Sequence, residues 1–277
     1  MTTEDSILAP QHHTTRGVIS ALLLITPLVA QAFGAPKLHY FQPPPVTAMP
    51  DGTFGALVRQ GYDVFKDTPK YAPRYAGNGL SCGSCHLDNG RKPNAIPMWG
   101  AAGLYPKYEP RVHQVITLSQ RIQQCFVSSL HGYIPPRDSE TLLALEAYIS
   151  WLATGAPERT LLPGARLPVM PRTGKQPDPV AGRQLFAADC SMCHGKTGQG
   201  LRNKSGKYIY PPLWGNNSFA WGAGMGRQLL LERFILANMP FDNPGSLKPQ
   251  QAKDIAAWIR LQWRDPNPRR GILGWLP

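Results

Sequence analysis

The sequence predicts an all-α chain of two similarly built domains, and three observations support this. Cys82-Gly-Ser-Cys85-His86 and Cys190-Ser-Met-Cys193-His194 repeat one Cys-x-x-Cys-His motif, once in each half of the 277 residues. Around each copy the same order recurs: helix, motif, loop, final helix. Between the copies, residues 156–179 carry Pro157, Pro163, Pro168, Pro171, Pro177 and Pro179 without sustained periodicity, as a linker does. In such a motif the two thiols add across the haem vinyl groups and the adjacent histidine supplies an axial ligand. Cys82, Cys85, Cys190 and Cys193 are therefore the expected attachment points of two covalently bound haem c groups, with His86 and His194 on the irons.

The elements follow in chain order. A polar stretch to Arg16, an apolar run over residues 18–33 and the small-residue site Ala30-Gln31-Ala32 read as a secretory signal, residues 1–32, cleaved after Ala32. The alternative is an uncleaved anchor, for which the run is short and interrupted by Pro27. Export agrees with haem attachment outside the inner membrane, so the expected compartment is the periplasm. Residues 41–50 form a Pro-rich extended arm. Phe54, Leu57, Val58, Tyr62 and Phe65 recur at spacings of three and four, predicting a helix over residues 51–65 that resembles the first helix of a class I cytochrome c domain. Residues 139–154 close that domain through Leu142, Leu143, Leu145, Tyr148, Ile149 and Trp151. The second copy runs from Gly182, Leu185 and Phe186 to a terminal helix over residues 251–263. The expected layout is a first cytochrome domain at 33–155, a linker at 156–179 and a second domain at 180–277.

The distal ligands separate the two copies. Met239-Pro240 stands 45 residues after His194, just before the last helix. That is the usual position of a thioether ligand, and it makes Met239 the first choice, with Met225 as the alternative. The first copy has no Met-Pro there. Its slot, 39 residues after His86, holds the fifth cysteine, Cys125. A thiolate is a strong donor that lowers the haem potential. Ligation by Met98, vacant coordination, or an inert buried thiol are the competing readings. Pro110 is well placed to start a helix, and residues 111–130 contain no internal Pro or Gly. Arg121, Cys125 and Ser129 then share one face, flanking the sulfur with a guanidinium and a hydroxyl. Arg111 falls on that face too, but about 21 Å away along a straight helix, so it joins the site only if the helix bends or starts later. His113 and His131 flank the segment and are read as surface or packing residues.

Charge bounds the partners. The chain carries +12 with histidine neutral, and losing Arg16, Glu4 and Asp5 with residues 1–32 raises this to +13. Such a balance suits a small anionic substrate or an acidic partner protein. Nucleic acid is excluded as a partner, because the bases are dispersed and no binding motif appears.

With Met-Pro in its second half and Arg121-Ile-Gln-Gln-Cys125-Phe-Val-Ser-Ser129 in its first, the chain resembles the dihaem thiosulfate dehydrogenase family, which forms tetrathionate. The blocks Tyr210-Pro-Pro-Leu-Trp-Gly215, Gly222-Ala-Gly-Met225 and Phe234-Ile-Leu-Ala-Asn-Met239-Pro240 extend the likeness. The resemblance implies two class I cytochrome c domains and His86/Cys125 ligation at a catalytic haem. It also implies substrate contacts from Arg111, Arg121 and Ser129, and a small c-type cytochrome or high-potential iron-sulfur protein as acceptor. Some members place Lys directly before the ligating Met, where this chain has Asn238, which argues against a Lys/Met ligand exchange here. The expected reaction joins two thiosulfates through a Cys125 adduct, and run backwards it is a tetrathionate reductase. The competing functions are a non-catalytic dihaem electron carrier and a cytochrome that conjugates thiosulfate to a carrier protein.

Overall fold

A computed structural model describes residues 39–110 and 112–266. The expected signal segment, residues 1–32, and Arg111 lie outside the described residues. The helices are α1 (Gly52–Lys66), α2 (Thr68–Tyr71), α3 (Leu87–Gly90), α4 (Leu118–Ser128) and α5 (Glu140–Leu152), then α6 (Pro179–Asp189), α7 (Ser191–His194), α8 (Gln228–Asn238) and α9 (Pro249–Leu261). Two antiparallel hairpins depart from a purely helical chain: β1 (Lys107–Glu109) with β2 (Gln114–Ile116), and β3 (Leu201–Arg202) with β4 (Tyr208–Tyr210).

Each cytochrome domain is closed by crossing its first and last helices, and the same device makes both crossings. A Cβ on Gly61 of α1 would collide with the Ala144 carbonyl of α5, and one on Gly182 of α6 would collide with the Asp254 carbonyl of α9. Glycine is needed at both places because the backbones themselves are in contact. Val58, Phe65, Leu142, Leu145, Tyr148 and Leu152 fill the first crossing, and Phe186, Ala252, Ile255 and Ile259 the second. The Tyr148 hydroxyl donates to the Asn89 carbonyl, 2.7 Å away, tying α5 to the turn after the first haem motif.

The helix expected from residue 111 starts later, at Leu118. Thr117 and Gln120 close a capping box: Thr117 N–H donates to Gln120 Oε1 (2.8 Å), and Gln120 N–H to Thr117 Oγ1 (3.2 Å). That satisfies orphan donors at the helix start and stops propagation toward residue 111. The residues before it pair instead as a hairpin, with Val115 opposite Tyr108. Residues 156–178 are irregular, but they are no free spacer. Ala165 and Leu167 are buried, Gly164 O accepts from Asn94 N–H, and Gly103 O accepts from Arg159 N–H, so the earlier part lies along the first domain, while Gln176 O accepts from Gln250 Nε2 of α9 at 3.0 Å.

A continuous apolar core runs through both domains, and buried polar groups fasten the seam between them. Asn78 Nδ2 donates to Ser129 O and Ser218 O, both at 3.0 Å, while its Oδ1 accepts from Leu80 N–H. Ala220 N–H donates to Ser128 O at 3.0 Å.

Candidate haem sites and the Cys125 pocket

The first motif sits on a short turn, Cys82–Ser84, capped by Ser81 and Ser84. Thr68 Oγ1, anchored on Val64 O, accepts from Cys82 N–H and lies 3.7 Å from Cys82 Sγ. The second motif forms α7 directly after α6, with Cys190 at the junction. All four motif thiols are free and only partly buried. Burial pushes the Cys82, Cys85 and Cys190 thiols up to about 12, with nearby charge from Cys125 adding at the first two.

The histidines fit iron ligation. His86 Nδ1 is 2.7 Å from Ile96 O and His194 Nδ1 is 2.8 Å from Pro211 O. A ring that donates from Nδ1 to a carbonyl is fixed as the tautomer whose Nε2 lone pair is free for a metal. Burial keeps both rings neutral: it lowers His86 to about 4, and it lowers His194 as well, against the Pro211 carbonyl, which pulls the other way. Free thiols, an Nε2 left for iron and an aromatic ring beside each histidine, Phe65 at His86 and Tyr210 at His194, are what a covalent haem needs at each motif.

The distal candidates differ in what they face. Met98 is packed in the core, where a Cβ on Gly90 would stand 2.6 Å from its Cγ, and Met225 is only 7 % exposed. Met239, by contrast, is half-buried at the C-terminal cap of α8. On α4 the contrast is sharper. Ile122, Gln123, Gln124, Phe126, Val127 and Ser128 are buried, whereas Arg121, Cys125 and Ser129 are all partly open. Gln123 is held by Pro135 O and Ser128 by Gln124 O, which fixes the helix by its buried faces.

Within that face Cys125 is the largest influence on Arg121, raising the guanidinium above its usual value against the opposing effect of burial, with Tyr105 and Glu109 adding to the rise. Arg121 Nη1 donates to Gln124 Oε1 at 3.0 Å, which orients the fork. The structure therefore brings Cys125, Arg121, Cys82 and Cys85 together and puts Ser129 on the same helix face, at its C-terminal cap. Tyr105 and Glu109 carry no mark of this role in the sequence; both act on Arg121 from outside α4. His131 packs against Asp265 across the seam, and His113 faces the Tyr108 hydroxyl, so neither stands at an iron position.

Residues 70–157 match the family model described as SoxA/TsdA, cytochrome c domain, and residues 179–263 match the general cytochrome c model. The chain is 44 % identical over 230 residues to a thiosulfate dehydrogenase of Stutzerimonas stutzeri (strain A1501), covering 83 % of this chain and 75 % of the relative. It is 38 % identical to the thiosulfate dehydrogenase of Allochromatium vinosum, covering 89 % and 92 %. A solved structure, thiosulfate dehydrogenase (TsdBA) from Marichromatium purpuratum in its "as isolated" form, superposes with a TM-score of 0.80 at 40 % identity. That alignment covers 85 % of this chain and 51 % of the solved one, so the chain spans about half of that protein.

Two class I cytochrome c domains, each with a motif fitted for attachment, define a dihaem c-type cytochrome carrying two covalently bound haem c groups. Its first domain also presents a partly open thiol, Cys125, and a partly open guanidinium, Arg121, one turn apart on α4. The chain belongs to the thiosulfate dehydrogenase family and is an oxidoreductase.

Proposed function

We propose that the protein oxidises two thiosulfates to tetrathionate in the Cys125 pocket, working outside the inner membrane with residues 1–32 as its export signal. Among the described residues no helix is long and apolar enough to cross a membrane. The observation that carries the reading is the α4 stripe on which Arg121, Cys125 and Ser129 stay partly open while Ile122, Gln123, Gln124, Phe126, Val127 and Ser128 around them are buried. In this reading His86 and Cys125 would hold the iron of the first haem, and His194 and Met239 that of the second. Arg111, Arg121 and Ser129 contact substrate. The layout is 33–155 and 180–277 for the two domains, with 156–179 between them.

Electrostatics dictates the order of steps. Two thiosulfate dianions 4 Å apart repel by roughly 17 kcal/mol at an effective dielectric near 20. Bonding the first to sulfur removes charge before the second arrives. Cys125 thiolate forms a sulfur-sulfur bond to the outer sulfur of one thiosulfate and two electrons leave, so an S-sulfonato-disulfide with a single negative charge remains. The two haems, when bound, supply the pair of one-electron acceptors. A second thiosulfate then attacks the adduct at the sulfur bonded to Cys125. The Cys125 bond breaks, tetrathionate departs and the thiolate returns, with no proton gained or lost. Arg121 serves both halves, since its planar fork matches the sulfonate oxygens and its charge offsets the approach of the second dianion. Run in reverse, the same steps reduce tetrathionate. Electrons leave from the second domain to a small c-type cytochrome or a high-potential iron-sulfur protein.

The test is tetrathionate formed from thiosulfate with ferricyanide as acceptor, by the haem-loaded protein and by Cys125→Gly. Turnover in the first and loss in the second is expected. Turnover in both would remove Cys125 from the chemistry. Turnover in neither would favour a carrier-protein-dependent or purely electron-carrying role.

A further inference from the structure

Asn238 is the last residue of α8 and is fully buried. Its Nδ2 donates twice: to Phe234 O within its own helix at 3.2 Å, and to Asn94 O of the first domain at 2.9 Å. Its Oδ1 is enclosed without a partner. A half-satisfied buried amide costs stability, so what the other half does needs a reason.

The acceptor belongs to no ordinary loop. Asn94 has φ +60° and Ile96, two residues on, has φ +55°. The left-handed region is tolerable for Asn but a true outlier for a β-branched residue, and it persists only where neighbours over-determine it. Here they do. Asn94 N–H is held by Gly164 O, Asn94 Nδ2 by the Tyr40 hydroxyl, and Asn94 O by Asn238. The carbonyl delivered by this conformation is Ile96 O, the partner of His86 Nδ1. Nearby, Lys92 lies over the Phe241 ring, a second contact on the same stretch of seam.

We propose that Asn238 is a positioning residue that puts the axial groups of both haems in one frame. On its C-terminal side it is bonded to Met239. Across the seam it holds the segment whose carbonyl orients His86. The proposal rests on the ligand reading given above, in which His86 and Met239 are axial residues. Its consequence is that a change confined to the second domain alters the first haem, where the substrate reacts, without touching the Cys125 pocket.

The experiment compares three variants of the two-haem protein with the parent. Asn238→Ala removes both bonds. Asn238→Ser keeps a local bond, because a serine hydroxyl reaches the carbonyl four residues back, but it is too short to cross to Asn94. Met239→Gly tests the ligand reading alone. The readouts are the ferric electron-spin-resonance signal and midpoint potential of each haem, the near-infrared methionine-to-iron band, and kcat and KM for thiosulfate. Both Asn238 variants are expected to shift the first-haem signal and potential. They should also lower kcat by about ten-fold, as small misplacements do, with KM retained. Met239→Gly should abolish the methionine band. If Asn238→Ser leaves the first haem as in the parent, the coupling across the seam is overturned while the ligand reading stands. If the band survives Met239→Gly, the ligand reading falls and takes the proposal with it. Should Asn238→Ala fail to hold haem, the serine variant decides the question.

Discussion

The two halves of the molecule repeat one plan and part at one position. In both, a glycine lets the first helix touch the last, and a histidine Nδ1 is spent on a loop carbonyl. In the second half the distal region ends in an extended, half-buried Met239 after α8. In the first half it is the open stripe of α4, with Arg121 one turn from Cys125. A thioether is a neutral donor that raises the potential of the haem it holds. A thiolate beside a guanidinium is a nucleophile next to an anion receptor. On the proposed reading the same scaffold offers an electron relay on one side and a thiosulfate site on the other, and the difference lies in one short helix.

Copying the second donor into the first slot is the strongest way to break that contrast. Cys125→Met keeps a sulfur donor but removes the nucleophile. Turnover of thiosulfate should fall on the order of 10³-fold or more, as for loss of a covalent catalyst, with both haems still attached. The first-haem midpoint should rise toward that of the second, because thioether replaces thiolate. Steady-state rates and a spectroscopic redox titration check both. Retained turnover would place the nucleophile elsewhere.

Removing the anion receptor while keeping the thiol has the next largest effect. Arg121→Gln should lower kcat/KM by roughly 10²-fold, the usual cost of losing a preorganised charge-stabilising donor. Arg121→Lys should restore only part of it, since an ammonium supplies charge without the planar fork. Equal activity of the Lys and Arg forms would show that charge alone is used.

Local and repetitive features were legible in the chain. The Cys-x-x-Cys-His motifs, the three-and-four spacing that marks α1, the apolar residues of α5 and the Arg121, Cys125, Ser129 stripe all depend on successive residues no more than about one turn apart. The later start of α4 was legible in principle, because Thr117 with Gln120 is a capping-box pair, but the absence of Pro and Gly from residues 111–130 outweighed it. What could not be read pairs residues far apart. Asn78 bonds Ser218 and Asn238 bonds Asn94, about half the chain away, and an asparagine carries no local mark of such a role. Gly61 and Gly182 look like weak points in helical patterns until the helix crossing them is present. Tyr105 and Glu109 act on Arg121 from outside α4.

The seam between the halves has its own acid-sensitive point. The His131 side chain is 5 % exposed, and its Nδ1 stands 3.6 Å from Asp265 Oδ2. Burial lowers its pKa from the ordinary 6.5, and Asp265 only partly restores it. Below pH 6.5 the unfolded chain therefore takes up a proton that the folded one resists. The contribution of this neutral histidine is whole above that pH and is lost as pH falls toward the lowered value. His131→Gln, which cannot titrate, should flatten the loss of thermal stability on acidification in that window. Parallel pH profiles of melting temperature for the two proteins would sink the assignment.

The smallest effect expected sits on the same seam and sharpens the contrast between buried and exposed fastening. Lys207 Nζ lies 3.0 Å from Asp67 Oδ2, with side chains 39 % and 17 % exposed. Solvent screens such a pair and ordering a lysine costs entropy, so Lys207→Ala should lower stability by about 1 kcal/mol or less, and by still less at high salt. Asn78→Ala removes a buried donor from two carbonyls at once and should cost more, about 1–3 kcal/mol. Denaturant unfolding of both variants at low and high salt makes the comparison. If Lys207→Ala proved the costlier of the two, the halves would be held together by surface charge, and the buried amides would have to be given another purpose.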